Sequence, residues 1–327
     1  MVKNRFKARV ADLQKIDASL TGRNAALARF LHAALRLFRL SAFSKYFRYL
    51  ESSFLPFVRP ESKTQFGPPI EVLFVTTKKD FQVLQTAISY AIDATSTQSK
   101  VDFVIIVPDH ELELCKSLLE DISCSISFVP ESYYIDETML IAIRHRFKAR
   151  SGWVIQQILK DLYVIESNSA GVLIVDSDTL LIEKRVWLEN SGKQLLLPSW
   201  EFHLPYYRFL NALGVSEKWP QYTFVSHHML MQPRIMREAF LSAGWKSKKD
   251  LVGSLVSLSE PDQQSPFCIE YELYGQYISR RYPHLVNLER WSNIGCARKD
   301  IDFDHIQDIV DRDYRGKYAS ISLHSYL

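Results

Sequence analysis

At 327 residues and 38.0 kDa, with 47 % apolar and 24 % charged residues, the chain is long enough for one sizeable α/β domain plus extensions and too apolar for a disordered protein. Cys115, Cys124, Cys268 and Cys296 form neither CxxC pairs nor a zinc spacing, and no run of about 18 uncharged apolar residues appears, which excludes a disulfide scaffold, a zinc module and a membrane-spanning helix and makes a reducing cytoplasm the expected compartment. The net charge of +3 hides an asymmetry: residues 1–60 hold twelve Lys/Arg against three Asp/Glu, a net of +9, which leaves −6 on the rest.

From Asn24 to Leu50 there is neither proline nor glycine, and the alanine, leucine and arginine content favours helix. At about 100° per residue, Leu27, Phe30, Leu31, Ala34 and Phe38 fall on one side and Arg29, His32, Arg36 and Arg39 on the other. Such a basic amphipathic helix suits an anionic membrane surface, and equally a packing site on the body or on a second subunit. No base-reading motif accompanies the charge, so nucleic acid is not expected as a partner. The stretch 54–69, with four prolines, reads as a linker. The organisation expected is an arm and linker over 1–67, a catalytic domain over 68–300 and a C-terminal tail over 301–327.

Within the domain, "IEVLFV" (70–75) is a buried strand that turns polar at Thr76, "VLQTAISYAI" a helix, "KVDFVIIVPD" (100–109) a second strand closed by Pro108, and "ELELCKSLLEDI" (111–122) a helix. "CSISFVP" (124–130) is a third strand, "GWVIQQILKDLYVIE" (152–166) a helix, and "VLIVDSDTLLI" (172–182) an apolar strand interrupted by two aspartates. Alternation of this kind implies an α/β fold with a mixed, mostly parallel, Rossmann-like sheet and helices on both faces. Ligands of such sheets bind at the carboxyl ends of the strands, which gathers Thr76, Thr77, Lys78 and Asp80 with Asp176, Ser177 and Asp178 on one rim.

Two carboxylates at i and i+2 on a strand end can share one divalent cation whose shell phosphate oxygens complete. Without a cation they repel and raise one pKa; the plain alternative is a surface turn built on Asp-Ser-Asp hydrogen bonds. The order of elements, with DSD after an apolar strand near mid-chain, resembles the GT-A glycosyltransferases. More narrowly, "GWVIQQILKD", "VLIVDSDTLL", "FVSHHMLMQP" and "CIEYELYGQY" together resemble a little-characterised bacterial family of glycosyltransferase-like proteins of unknown function (DUF6492-like), over roughly residues 70–300. The resemblance implies a GT-A-like fold, a nucleotide-diphosphate-sugar donor, and Mn²⁺ or Mg²⁺ on Asp176 and Asp178 as a Lewis acid for the leaving diphosphate.

Other residues join the candidate site. Trp153, Gln156, Gln157 and Lys160 share one face of the helix before the aspartates, with Lys160 a candidate for a donor phosphate or the whole face a partly exposed surface. "RHRFKAR" (144–150) is a basic run that attracts a diphosphate or simply solvates the surface. "YTFVSHHMLMQP" (222–233) reads as a strand, so His227 and His228 point to opposite faces and one of them is a candidate metal or sugar ligand. "SPFCIEYELYGQYI" reads as a helix with Ser265 as N-cap and Pro266 at its first position. Glu270 on it is the candidate general base for the acceptor hydroxyl, with Glu272 in reserve, since the two diverge by about 200°; both equally suit the helix dipole.

The expected function is therefore sugar transfer to a glycan or lipid-linked hydroxyl, in surface polysaccharide assembly at the inner face of the membrane. Three rivals share the aspartates. A haloacid-dehalogenase-like phosphatase wants D-x-D-x-T, and here the fifth position is Leu180, with threonine one place early at Thr179. A non-catalytic nucleotide-sugar or glycan-binding module would keep the fold and lose turnover. A nucleotidyltransferase would carry a glycine-rich loop after its first strand, which "TTKKDF" lacks.

Overall fold

A computed structural model describes residues 66–325 apart from 200, 218, 219, 221 and 260–265. The basic arm, most of the 54–69 linker and Ser265 therefore lie outside the described residues.

In chain order the body contains β1 (Ile70–Val75), α1 (Phe81–Ala94), β2 (Val101–Val107), α2 (Leu112–Leu118), β3 (Ile126–Pro130), α3 (Glu137–Phe147), α4 (Ser151–Glu166), β4 (Val172–Asp176) and β5 (Thr179–Leu181). There follow β6 (Gln194–Leu196), α5 (Leu204–Ala212), β7 (His228–Met231), α6 (Pro233–Ser242), α7 (Lys248–Leu258), α8 (Glu270–Arg281), β8 (Val286–Leu288), β9 (Asn293–Ala297) and β10 (Ser320–His324). The main sheet has the order β3-β2-β1-β4-β7, parallel except for β7, which runs antiparallel to β4. It is the mixed, mostly parallel sheet with helices on both faces that the apolar runs predicted.

The period-two alternation of a strand sorts its side chains between two cores. Leu73, Val75, Ile174 and Met229 face one core, shared with α3, α4 and α6 to α8. Val72, Phe74, Leu173, Val175 and Leu230 face the other, shared with α1 and the smaller β5-β10-β9 sheet. Because both faces are covered, β1 and β4 read as continuous apolar runs. Each buried Val, Leu or Ile contributes about 1.5–3 kcal/mol, which holds these strands despite their short length.

Three expectations are corrected. The run 172–182 is not one strand: it breaks at Ser177 and Asp178, and its second half joins a different sheet as β5, paired antiparallel with β10. The physical reason is that Leu323 N donates to the Asp178 carbonyl (2.7 Å) and captures the chain for the smaller sheet. The segment 301–327, read as a tail, holds β10, five consecutive buried residues. The helix expected from Pro266 starts at Glu270 instead, because the Gln157 side chain accepts from Ile269 N (2.9 Å) and fixes its entry.

Candidate active site

From β1 the chain moves outward to β2 and β3, then returns to place β4 on the other side of β1. The loops leaving β1 and β4 therefore diverge at their carboxyl ends and open a crevice. Val75 pairs with Asp176, which sets the DSD turn at that crevice.

Asp176 is where four elements converge. Its Oδ1 accepts from Lys160 Nζ on α4 (2.6 Å) and from the Tyr271 hydroxyl on α8 (2.8 Å), and its Oδ2 lies 3.2 Å from His227 Nδ1, just before β7. Lys160 Nζ also stands 3.5 Å from Glu270 Oε1. Lys160 is 3 % exposed, and a buried ammonium persists only when carboxylates balance it. Burial by itself favours the neutral amine, yet Asp176 and Glu270 hold Lys160 charged and above its ordinary range. Burial likewise pushes Asp176 upward, but the Lys160 ammonium, joined by His227, keeps it well below the usual carboxylate range.

Glu270 responds differently. Burial, opposed by Lys160 and reinforced by Asp176, pushes it up to about 7. Its Oε2 is buried and makes no hydrogen bond among the described residues. A carboxylate held near neutrality has the pKa that a general base needs. Asp161, next to Lys160, is raised by burial and then by Glu270, and both its oxygens lack partners among the described residues.

Asp178, two residues beyond Asp176, is far less engaged. Its Oδ2 stands 3.5 Å from His324 Nδ1 on β10, and the His324 ring is 5.2 Å from that of His227. Gly295 on β9 makes room for this imidazole, since a Cβ there would come within 3.2 Å of the ring. Around the β1 end, Asp80 is buried and accepts from Ser177 Oγ (3.1 Å) and Arg298 Nη2 (2.7 Å). Thr76 is buried, Thr77 half-buried and Lys78 exposed, its backbone N–H held by Glu111 (2.7 Å).

The paired candidates separate. His227 faces Asp176, whereas His228 lies within the sheet edge-on to Trp187, and burial, then Arg185, pulls its pKa down to about 3. Glu270 joins the cluster, whereas Glu272 is fully buried and accepts from Tyr207 Oη (2.7 Å), Phe224 N (2.6 Å) and Gln276 Nε2 (2.8 Å). The α4 face packs on the start of α8: Trp153 stacks on Phe267 with rings 5.9 Å apart, Gln157 holds Ile269, and Lys160 reaches Asp176; Gln156 is half-buried. Lys160 thus spends its charge on two carboxylates of the protein, not on an open phosphate site.

Three residues escaped the sequence reading. Tyr271 lies between the two glutamates that were singled out, but only acids were weighed there. His324 and Arg298 sit far along the chain, and no local pattern ties them to Asp178 and Asp80.

The model of a family of unknown function (DUF6492) matches residues 79–196, from the turn after β1 through β6, and so includes Asp176 and Asp178. No protein of curated function matches the chain in sequence. Among solved structures, mouse xyloside xylosyltransferase 1 is similar at 14 % identity and a TM-score of 0.41, over 79 % of this chain and 98 % of its own. An active-site mutant of LgtC is similar at 12 % identity and a TM-score of 0.46, over 77 % of this chain and 86 % of its own. The glycosyltransferase GlyE of Streptococcus pneumoniae TIGR4 is similar at 10 % identity and a TM-score of 0.40, over 80 % of this chain and 55 % of its own. The family match bears out the resemblance over residues 79–196, which hold the blocks "GWVIQQILKD" and "VLIVDSDTLL".

Proposed function

We propose that the chain is a metal-assisted glycosyltransferase of GT-A type, moving a sugar from a nucleotide-diphosphate donor to a hydroxyl of a glycan or lipid-linked acceptor. The observation that carries this reading is the placement of Asp176, Asp178, His227, His324 and Glu270 around one crevice at the switch point of the sheet.

Among the described residues no three His, Cys, Asp or Glu side chains form a ready-made metal cage. Mg²⁺ and its close analogue Mn²⁺ in phosphate chemistry need only one or two protein donors, substrate phosphates completing the shell. Asp178 and His324, 3.5 Å apart, offer a carboxylate and an imidazole, with Asp176 and His227 beside them. The donor chemistry fits, and the residues that would hold the cation are Asp178 and His324 first, with Asp176 and His227 beside them. When bound, the cation supplies charge neutralisation for the departing diphosphate.

The protein's own groups then have definite work. As the acceptor oxygen bonds to the anomeric carbon and the bond to the diphosphate breaks, Glu270 Oε2 takes the hydroxyl proton; a single displacement of this kind inverts the anomeric centre. Lys160 holds Glu270 and Asp176 in fixed relation, and Tyr271 orients Asp176. Thr77, Lys78 and Ser177 lie along the rim where the nucleotide enters. The basic arm of residues 1–60 is proposed to hold the enzyme at an anionic membrane surface, peripherally, where lipid-linked acceptors for surface polysaccharide reside. No helix of the described residues is long and apolar enough to cross a membrane.

The phosphatase reading is not carried further, because the fifth position of its D-x-D-x-T motif is Leu180. The test of the proposal is a thermal-shift series with UDP, GDP, CMP and their sugars, each with and without Mn²⁺, since a ligand bound to the native state raises its melting temperature. A manganese-dependent rise with one nucleotide supports it; no rise with any of them leaves a binding-module role without nucleotide.

A further inference from the structure

Asp161 has no part in the chemistry described above, yet it is fully buried on α4, next to Lys160. Its neighbours on the helix show where it lies. Gln157, one turn earlier, accepts from Ile269 N (2.9 Å), and Lys160 stands 3.5 Å from Glu270 Oε1. Residues four apart on a helix share a face, so Asp161 follows Gln157 toward the start of α8. Electrostatics agree: after burial itself, Glu270 is the group that acts most strongly on Asp161, raising its pKa, with Lys160 opposing.

Two imbalances meet here. The first is of hydrogen bonds. Both Asp161 oxygens, Glu270 Oε2 and Gln157 Nε2 are buried without a hydrogen-bond partner among the described residues, whereas buried polar atoms are nearly always paired. With both acids ionised, three of these four atoms are acceptors, and acceptors cannot satisfy one another. The second imbalance is of charge. Asp161, Asp176 and Glu270 all interact with the Lys160 ammonium, and His227 beside Asp176, when charged, brings the cations to two. Cys268 and Tyr271, close to Glu270 along the chain, are both raised by burial and add no charge. Three ionised acids therefore leave one negative charge unbalanced in a buried setting, which a protein interior relieves by binding a proton.

We propose that Asp161 is a positioning residue for Glu270: an un-ionised carboxylic acid that donates a hydrogen bond to Glu270 Oε2, directly or through one ordered water, and leaves Glu270 as the ionised member of the pair. The role rests on the reading of Glu270 as the base of sugar transfer. One proton corrects both imbalances. The four atoms become two donors, the Asp161 hydroxyl and the Gln157 amide, and two acceptors, and the second lone pair of Glu270 Oε2 stays open for the acceptor proton. An ionised Asp161 would set another negative charge beside Glu270 and drive it further toward the protonated form, which is useless as a base near neutral pH. A hydrogen bond to the ionised form works the other way and holds Glu270 at about 7 despite its burial.

The experiment is a carboxyl ¹³C NMR titration of the full chain, labelled at aspartate or at glutamate and read without turnover. Thermal melts establish that each variant folds. In aspartate-labelled wild type, one resonance is expected to keep the shift of an un-ionised acid at a pH about two units above the Glu270 value of about 7, and to be missing from Asp161→Asn. In glutamate-labelled protein, Glu270 is assigned from its loss in Glu270→Gln. Its midpoint is expected to stay at about 7 in Asp161→Asn, whose amide is neutral and still donates, and to rise by about one unit in Asp161→Leu, which has no donor. A midpoint that falls by about one unit or more in Asp161→Asn shows that a like charge was removed, and overturns the proposal. An Asp161→Leu midpoint equal to wild type overturns it too. If neither variant folds, the wild type decides: absence of any un-ionised aspartate resonance at that pH overturns the proposal. These titrations and the nucleotide thermal shift fail separately. Failed titrations with the shift present remove only this inference, and an absent shift removes the sugar-transfer reading while the titrations still decide which acid holds the proton.

Discussion

Lys160 Nζ lies 2.6 Å from Asp176 Oδ1 and 3.5 Å from Glu270 Oε1, so one buried ammonium joins the carboxylate of the DSD turn to the carboxylate at the start of α8. Substituting Lys160→Met removes the charge and leaves the half-buried Asp176 and the buried Glu270 without their shared cation. The expected cost is about 3–5 kcal/mol in urea denaturation, as for breaking one partner of a buried pair. A loss below about 1 kcal/mol, the range of surface ion pairs, would falsify the claim that this ammonium organises the site.

The Asp178 side chain is 21 % exposed and, among the described residues, has one ion contact, with His324. Asp178→Asn is therefore expected to leave stability within about 0.5–1 kcal/mol of wild type, His324→Ala, which empties a buried position, to cost more, and each to abolish the manganese-dependent thermal shift with nucleotide. The residues contact each other and, in the proposal, the same cation, so retention of the shift in both variants removes the assignment.

Glu270 titrates at about 7 in the folded chain against an ordinary value of 4.5. A base must be ionised to act, so turnover rises with pH through about 7. Stability moves the other way: the raised folded value means that Glu270's contribution is full below 4.5 and is lost as pH climbs through about 7. Glu270→Gln is expected to lower kcat by about 10²–10⁴-fold and to erase that rising limb. A variant that keeps the limb identifies another group as the base.

Glu272, by contrast, serves the scaffold. Glu272→Ala strips Tyr207, Phe224 N and Gln276 of their acceptor in a buried setting, with an expected cost of about 1–3 kcal/mol or more. Glu272→Gln keeps an oxygen for Phe224 N and is expected to cost less. Equal melting temperatures for wild type and Glu272→Ala contradict this role.

Removal of residues 1–60 takes away a net +9. Sedimentation with anionic liposomes is expected to fall on that deletion, and binding of the full chain to fall with added salt, because screened charge is what attracts the arm. Unchanged sedimentation assigns the arm to packing.

The sequence by itself determined the sheet. Runs such as "VLFV" and "FVIIV" have no polar face to expose, so they become strands covered on both sides, and DSD at the end of such a run lands at the carboxyl rim. It also determined that Glu270 and Glu272 diverge, because that angle follows from helix geometry, whereas the strand expected over 222–233 is only His228–Met231, so alternation along a strand does not set the direction of His227. Which member of each pair faces the crevice was decided by the tertiary structure: His227 by Asp176, and Glu270 by Lys160. The break after Asp176 was invisible locally, since Leu180 and Leu181 look like more of the same strand until β10 arrives to pair with them. His324, Arg298 and Tyr271 enter the site through contacts between distant segments, and the position of a side chain in space is fixed by the packing of whole elements, which periodicity along the chain does not encode.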